Sequence, residues 1–246
     1  MFSFRHALVA LLGIAFVAGL TVYFAYVASQ QVPEFYQQAL SRDSERSADA
    51  GEQLERDVLE LHNHVQNRGE WEQVFTEESV NGWLAVDLPT KFSDALPKGI
   101  SEPRVAIGEN KIRVACKYSG KNLSSVISLD LEVALTQEDN VILIRIDAAR
   151  AGLLPIPLKN FLADITKVAE DAEITVRWTD EGGDPVALLT IPEVYEGYEK
   201  RLVRIDGIEV VKGMIRVIGK TKELSESDKV TIQRMTNTEI VGVATP

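Results

Sequence analysis

The sequence predicts an α+β protein: an N-terminal transmembrane helix and a helical stalk, then a long curved antiparallel sheet wrapped on one or two amphipathic helices. Three observations in the 246 residues carry that expectation. No charged residue interrupts the run from Ala7 to Ala28. A narrow apolar stripe recurs at helical spacing in the polar stretch that follows. From Pro103 onward the hydrophobic period falls to two, the period of strands with one face turned to a core.

Residues 7–28 are enough, as a helix, to cross a hydrocarbon core of about 30 Å, and a helix satisfies its own backbone in lipid. Tyr23 and Tyr26 fall at the distal end, where rings with a polar tip favour the interface. The run is longer than the apolar core of a cleaved signal peptide, so a retained anchor over residues 1–31 is expected. Arg5 precedes the span and Glu34 follows it. Positive charge favours the cytoplasmic side, which gives a single-pass protein of the cell membrane with a cytoplasmic N-terminus and an extracytoplasmic C-terminal domain.

Residues 32–68 read as a helical stalk. Leu40, Leu54, Val58, Leu61 and Val65 recur at spacings near three, four and seven. Such a stripe packs on the body or pairs with a second copy as a short coiled coil; Ser47 interrupts the heptad, which favours the body. His62 and His64 are two apart and point to different faces, so they do not make the i,i+4 pair that grips a metal.

Residues 69–246 form the globular domain. Thr76 caps a short helix whose Glu77 and Glu78 suit its positive end, with Val80, Trp83 and Leu84 on one face and Pro89 and Pro97 closing the region. Ile112–Tyr118, Ile127–Leu135 and Ile142–Ala148 alternate apolar with polar, and short turn-like links between them imply antiparallel pairing. Pro157 opens a second amphipathic helix, on which Leu158, Phe161, Leu162 and Ile165 share a face. Strands resume at Ile174–Trp178, Val186–Ile191, Leu202–Val211 and Met214–Lys220.

Several functions are disfavoured by composition. Net charge is −11, and Arg5 is the only Lys, Arg, Asp or Glu before residue 30, so the domain is strongly acidic and no nucleic acid is expected as partner. The lone Cys116, at an alternating strand position, makes neither a disulfide nor a metal cluster and reads as a small buried apolar side chain. No nucleophile elbow, phosphate loop or dinucleotide fingerprint occurs. The sequence therefore predicts no enzyme, no catalytic or metal-binding residues and no cofactor.

The order of these motifs resembles a known family. Thr76-Glu77-Glu78-Ser79-Val80-Asn81-Gly82-Trp83-Leu84, then Ala151-Gly152-Leu153-Leu154-Pro155-Ile156-Pro157 with its helix, then Val203-Arg204-Ile205-Asp206-Gly207 follow the pattern of the uncharacterised YpmS-type family of bacterial single-span membrane proteins. Val80 stands where that pattern has Leu, and the stalk is longer. More distantly, a sheet wrapped on a helix after Gly-x-Leu-Pro-x-Pro is similar to tubular lipid-binding (TULIP-like) domains. That resemblance implies an apolar groove with Leu158, Phe161, Leu162 and Ile165 as candidates, and a lipid or other apolar envelope molecule as ligand. Spacing alone favours an ordinary core helix. The expected function is a membrane-anchored extracytoplasmic binding module; the alternative is a non-catalytic structural or protein-interaction component of the cell envelope.

Overall fold

The computed structural model describes residues 20–224, apart from 22, 42–43, 121–123, 159–161, 172–173, 182–183 and 193–200. The helices are α1 (Glu34–Leu40), α2 (Ser44–Gln66), α3 (Glu77–Lys91) and α4 (Leu162–Asp171). The strands are β1 (Gly69–Thr76), β2 (Ile100–Ile107), β3 (Ile112–Ser119), β4 (Ser124–Leu135), β5 (Val141–Ala151), β6 (Leu154–Pro155), β7 (Thr175–Glu181), β8 (Asp184–Thr190), β9 (Arg201–Val211) and β10 (Met214–Glu223). The α+β class and the antiparallel pairing agree with the sequence reading.

The expected membrane anchor is corrected. Among the described residues no helix is long and apolar enough to cross a membrane, which argues against the single-pass placement as well. Residues 1–19 and 22 of the expected anchor lie outside the described residues. Residues 20, 21 and 23–29 are helical. Their end is sewn into the body. The N–H of Leu153 donates to the carbonyl of Ala28 at 2.9 Å, and Ser125 Oγ donates to that of Ser29 at 2.6 Å. Gly152 permits this approach: its φ is +59°, and a Cβ there would strike the carbonyls of Ala28 and Ser29.

The single curved sheet is corrected too, because the strands form two sheets. One has the order β2-β3-β4-β5-β8-β7, with β6 on β5; the other is β1-β10-β9. The β9–β10 turn joins them at one end. Gly213 N–H donates to the carbonyl of Ile107 at 2.8 Å, and Asn110 N–H to that of Val210 at 2.9 Å. Asn140, fully buried at the β4–β5 turn, adds a second tie by bonding both Val203 and Ile205 of β9.

The stalk does not project from the body. α2 lies along α3, where Gly51 and Gly82 let the two backbones meet; a Cβ on Gly82 would sit 2.5 Å from the Ser47 carbonyl oxygen and 2.6 Å from Gly51 N. The stripe faces inward only in part, since Val58 is 51% and Leu40 38% exposed. α3 is capped by Thr76, whose Oγ1 accepts the N–H of Ser79 at 3.0 Å, and it runs through Pro89 to Lys91. Its buried positions include Ser79, Asn81, Gly82 and Asp87, so polar groups hold it in place. Asn81 bonds both the N–H (2.9 Å) and the carbonyl (2.8 Å) of Val105 and so covers the open edge of β2.

The best-formed core cluster lies under α1. Tyr36, 1% exposed, packs with Ala115 and Val126, and Val32 and Phe35 lie against them. Tyr36 Oη donates to the carbonyl of Glu102 at 2.8 Å, and the Arg113 guanidinium stacks 4.6 Å above the Phe35 ring.

Candidate functional site

α1 and its cluster occupy one face of the large sheet. The register assigns the opposite face to apolar side chains. Val105, Val114, Leu129 and Ala149 form one cross-strand row, and Ile107, Ile112, Leu131 and Ile146 form the next. Val133, Ile144, Ala187 and Trp178 continue the surface toward the β7 edge. Two bulges keep these rows in phase. One extra residue in β5, Asp147, turns Ala149 and Ala151 onto the apolar face and moves Ala148 off it. Strict alternation from Ile142 through Ala148, as the sequence implies, therefore does not hold past Ile146.

The middle of this face is incompletely covered. Ile107, Ile146, Ala149 and Ala187 are buried, but Val114, Ile127, Leu129, Leu131 and Val133 are only half-buried. Cys116, on the same face beside Ile127, is half-buried as well, and burial pushes its thiol above the usual range.

Helix α4 is pinned over the β7 side of the face. Trp178 Nε1 donates to Thr166 Oγ1 at 2.8 Å, and Thr166 Oγ1 donates in turn to the Leu162 carbonyl at 2.8 Å. Of the four residues expected to line a groove, Leu162 and Ile165 share a stripe of α4 and are half-buried. Leu158 lies ahead of the helix, also half-buried, and Phe161 falls outside the described residues. The sheet side, Leu129 and Leu131 above all, is legible in the sequence as an alternating strand.

The sites discounted in the sequence have these surroundings. His64 lies 3.9 Å from Glu60, one turn earlier on α2. Among the described residues no three His, Cys, Asp or Glu side chains are grouped to hold a metal ion. No family model, curated protein or solved structure matches the chain. The chemistry of the site therefore rests on its own geometry: an apolar sheet face, one helix over its flank, and no charged side chain among the rows of its centre.

Proposed function

We propose that this protein is a non-catalytic binding module that takes the hydrocarbon part of a lipid, or a similar apolar molecule, between α4 and the apolar face of the large sheet. The observation that carries this reading is the half-burial of Val114, Ile127, Leu129, Leu131 and Val133 in adjoining strands. Soluble proteins rarely leave a contiguous apolar surface of more than a few hundred Å² open unless something binds it. Each such side chain gains about 25 cal/mol for every Å² removed from water, so an acyl chain laid across the face collects favourable energy from every row.

The test is displacement of a fluorescent fatty acid from the full chain. Leu131→Asp and Ile127→Asp place a carboxylate under the bound chain and should abolish saturable binding while circular dichroism retains the β signal. Undiminished binding by folded variants, or no binding by the parent protein, removes this reading. A second reading, a protein-interaction component, is favoured by the exposed Val58 and Leu59 on α2. Val58→Asp would then release a protein partner without changing fatty-acid binding.

A further inference from the structure

A pocket of about 240 Å³ lies on the other side of the molecule, between α1, α2, α3 and β2. Its polar lining includes Arg46 and Ser47 of α2, Glu78 and Asn81 of α3, and Arg104 of β2. Arg104 reaches it through an irregularity in the sheet. Ser101 pairs with Lys117, yet Arg104 pairs with Ala115, so two residues of β2, Glu102 and Pro103, stand opposite Cys116 alone. Without that extra residue Arg104 would fall on the apolar face; with it, the side chain joins Ala115 on the helix side. Glu102 takes the left-handed φ of +52° that the bulge requires, and Tyr36 Oη holds its carbonyl at 2.8 Å.

This placement leaves cationic donors short of anionic contacts: Glu102 acts on Arg104 electrostatically, without an ion pair. Arg104 is half-buried, and of its five N–H groups the bond to be found is Nη1 to the Pro103 carbonyl, 2.7 Å away. Elsewhere in this acidic chain Arg150, Arg204 and Arg216 each reach a carboxylate. Among the described residues neither Arg46 nor Arg104 forms an ion pair. Asn81 is committed to Val105, so the free donors facing the pocket are the two guanidiniums. A partly desolvated guanidinium without a carboxylate in contact is under-compensated, and an oxyanion in the pocket supplies that contact.

We infer that this pocket binds a phosphate group, held by the guanidiniums of Arg104 and Arg46. Phosphate suits the pair better than carboxylate, because it offers enough oxygens for two planar forks at once. Glu78 on the same wall places a carboxylate beside the bound anion, where a hydroxyl or ammonium of the ligand satisfies it. The group is either a free phosphomonoester or the headgroup of a phospholipid.

Isothermal titration of the full chain with inorganic phosphate, against chloride at matched ionic strength, tests the site. Glycerol phosphate and a short-chain phosphatidic acid then separate the two sources: competition by the first marks a soluble ligand, and by the second alone a headgroup. Arg46→Gln alters an exposed side chain, so the fold is retained, and phosphate should bind about tenfold more weakly or worse. Arg104→Met should abolish binding. No saturable binding by any probe, or parental affinity in Arg46→Gln, overturns the site.

Discussion

The side chain of Asn140 takes the place of a strand residue beside Val203: its Nδ2 donates to the Val203 carbonyl at 2.8 Å, while its Oδ1 accepts the N–H of Ile205 at 2.8 Å. The Asn140 carbonyl meanwhile accepts the N–H of Ile191 at 2.9 Å. One residue at a turn thus joins the large sheet to the small one, and does so at a φ of +56°, a conformation asparagine tolerates.

Asn140→Ala should therefore cost about 2–4 kcal/mol, since it leaves two buried backbone groups unpaired. Asn140→Gly loses the same bonds without a Cβ in the left-handed region and should be less damaging by about 1 kcal/mol. Urea unfolding of the three proteins gives the order. Equal losses in both variants would show that backbone strain has no part in the effect.

The crossing of α2 and α3 gives a second expectation. Gly82→Ala puts a methyl group 2.5 Å from the Ser47 carbonyl and must push the helices apart, at about 1–3 kcal/mol. Gly108→Ala, whose new methyl group would have its nearest neighbour at 3.5 Å, should change stability by about 0.5 kcal/mol or less. Thermal unfolding followed by circular dichroism compares them.

Tyr36 makes stability depend on alkaline pH. Burial first, and the nearby Glu102 carboxylate second, push its phenol from 10.0 up to about 12. The folded state therefore holds this proton after the unfolded chain has released it. The stabilising contribution is complete below pH 10.0 and falls away as pH rises toward about 12. Tyr36→Phe should flatten that part of the profile, at a cost near neutral pH of about 1 kcal/mol for the lost bond to Glu102. An unchanged alkaline slope would assign the titration to another group.

Cys116 reports on the apolar face. With its thiol raised by burial, alkylation near neutral pH should be slower than that of a free cysteine and should quicken as the pH rises. A fatty acid over Ile127 and Cys116 should slow it further. Equal rates with and without the fatty acid would place the ligand elsewhere.

These expectations draw unequally on the sequence. β3, β4 and β7–β10 were legible because a period of two survives wherever one face is apolar. β1 was not, since its buried positions are Trp71 and Gln73, and an inward glutamine breaks the pattern. α3 buries Ser79, Asn81 and Asp87, so its docking cannot be read from hydrophobicity. The anchor was inferred from the length of an apolar run, whereas the described end of that run is bonded to Ser125 and Leu153. The division into two sheets depends on Asn140 and the β9–β10 turn, which are long-range contacts that no local period encodes. The pocket at Arg104 depends on a bulge, and one inserted residue is invisible in composition yet reverses the face of every side chain after it.

Native mass spectrometry of the purified full chain most directly tests whether the half-covered sheet face is a binding surface. The parent protein should carry an added lipid mass that dissociates on activation, and folded Leu129→Asp should fly without it. A bare parent protein that also fails to take up added fatty acid would contradict the account.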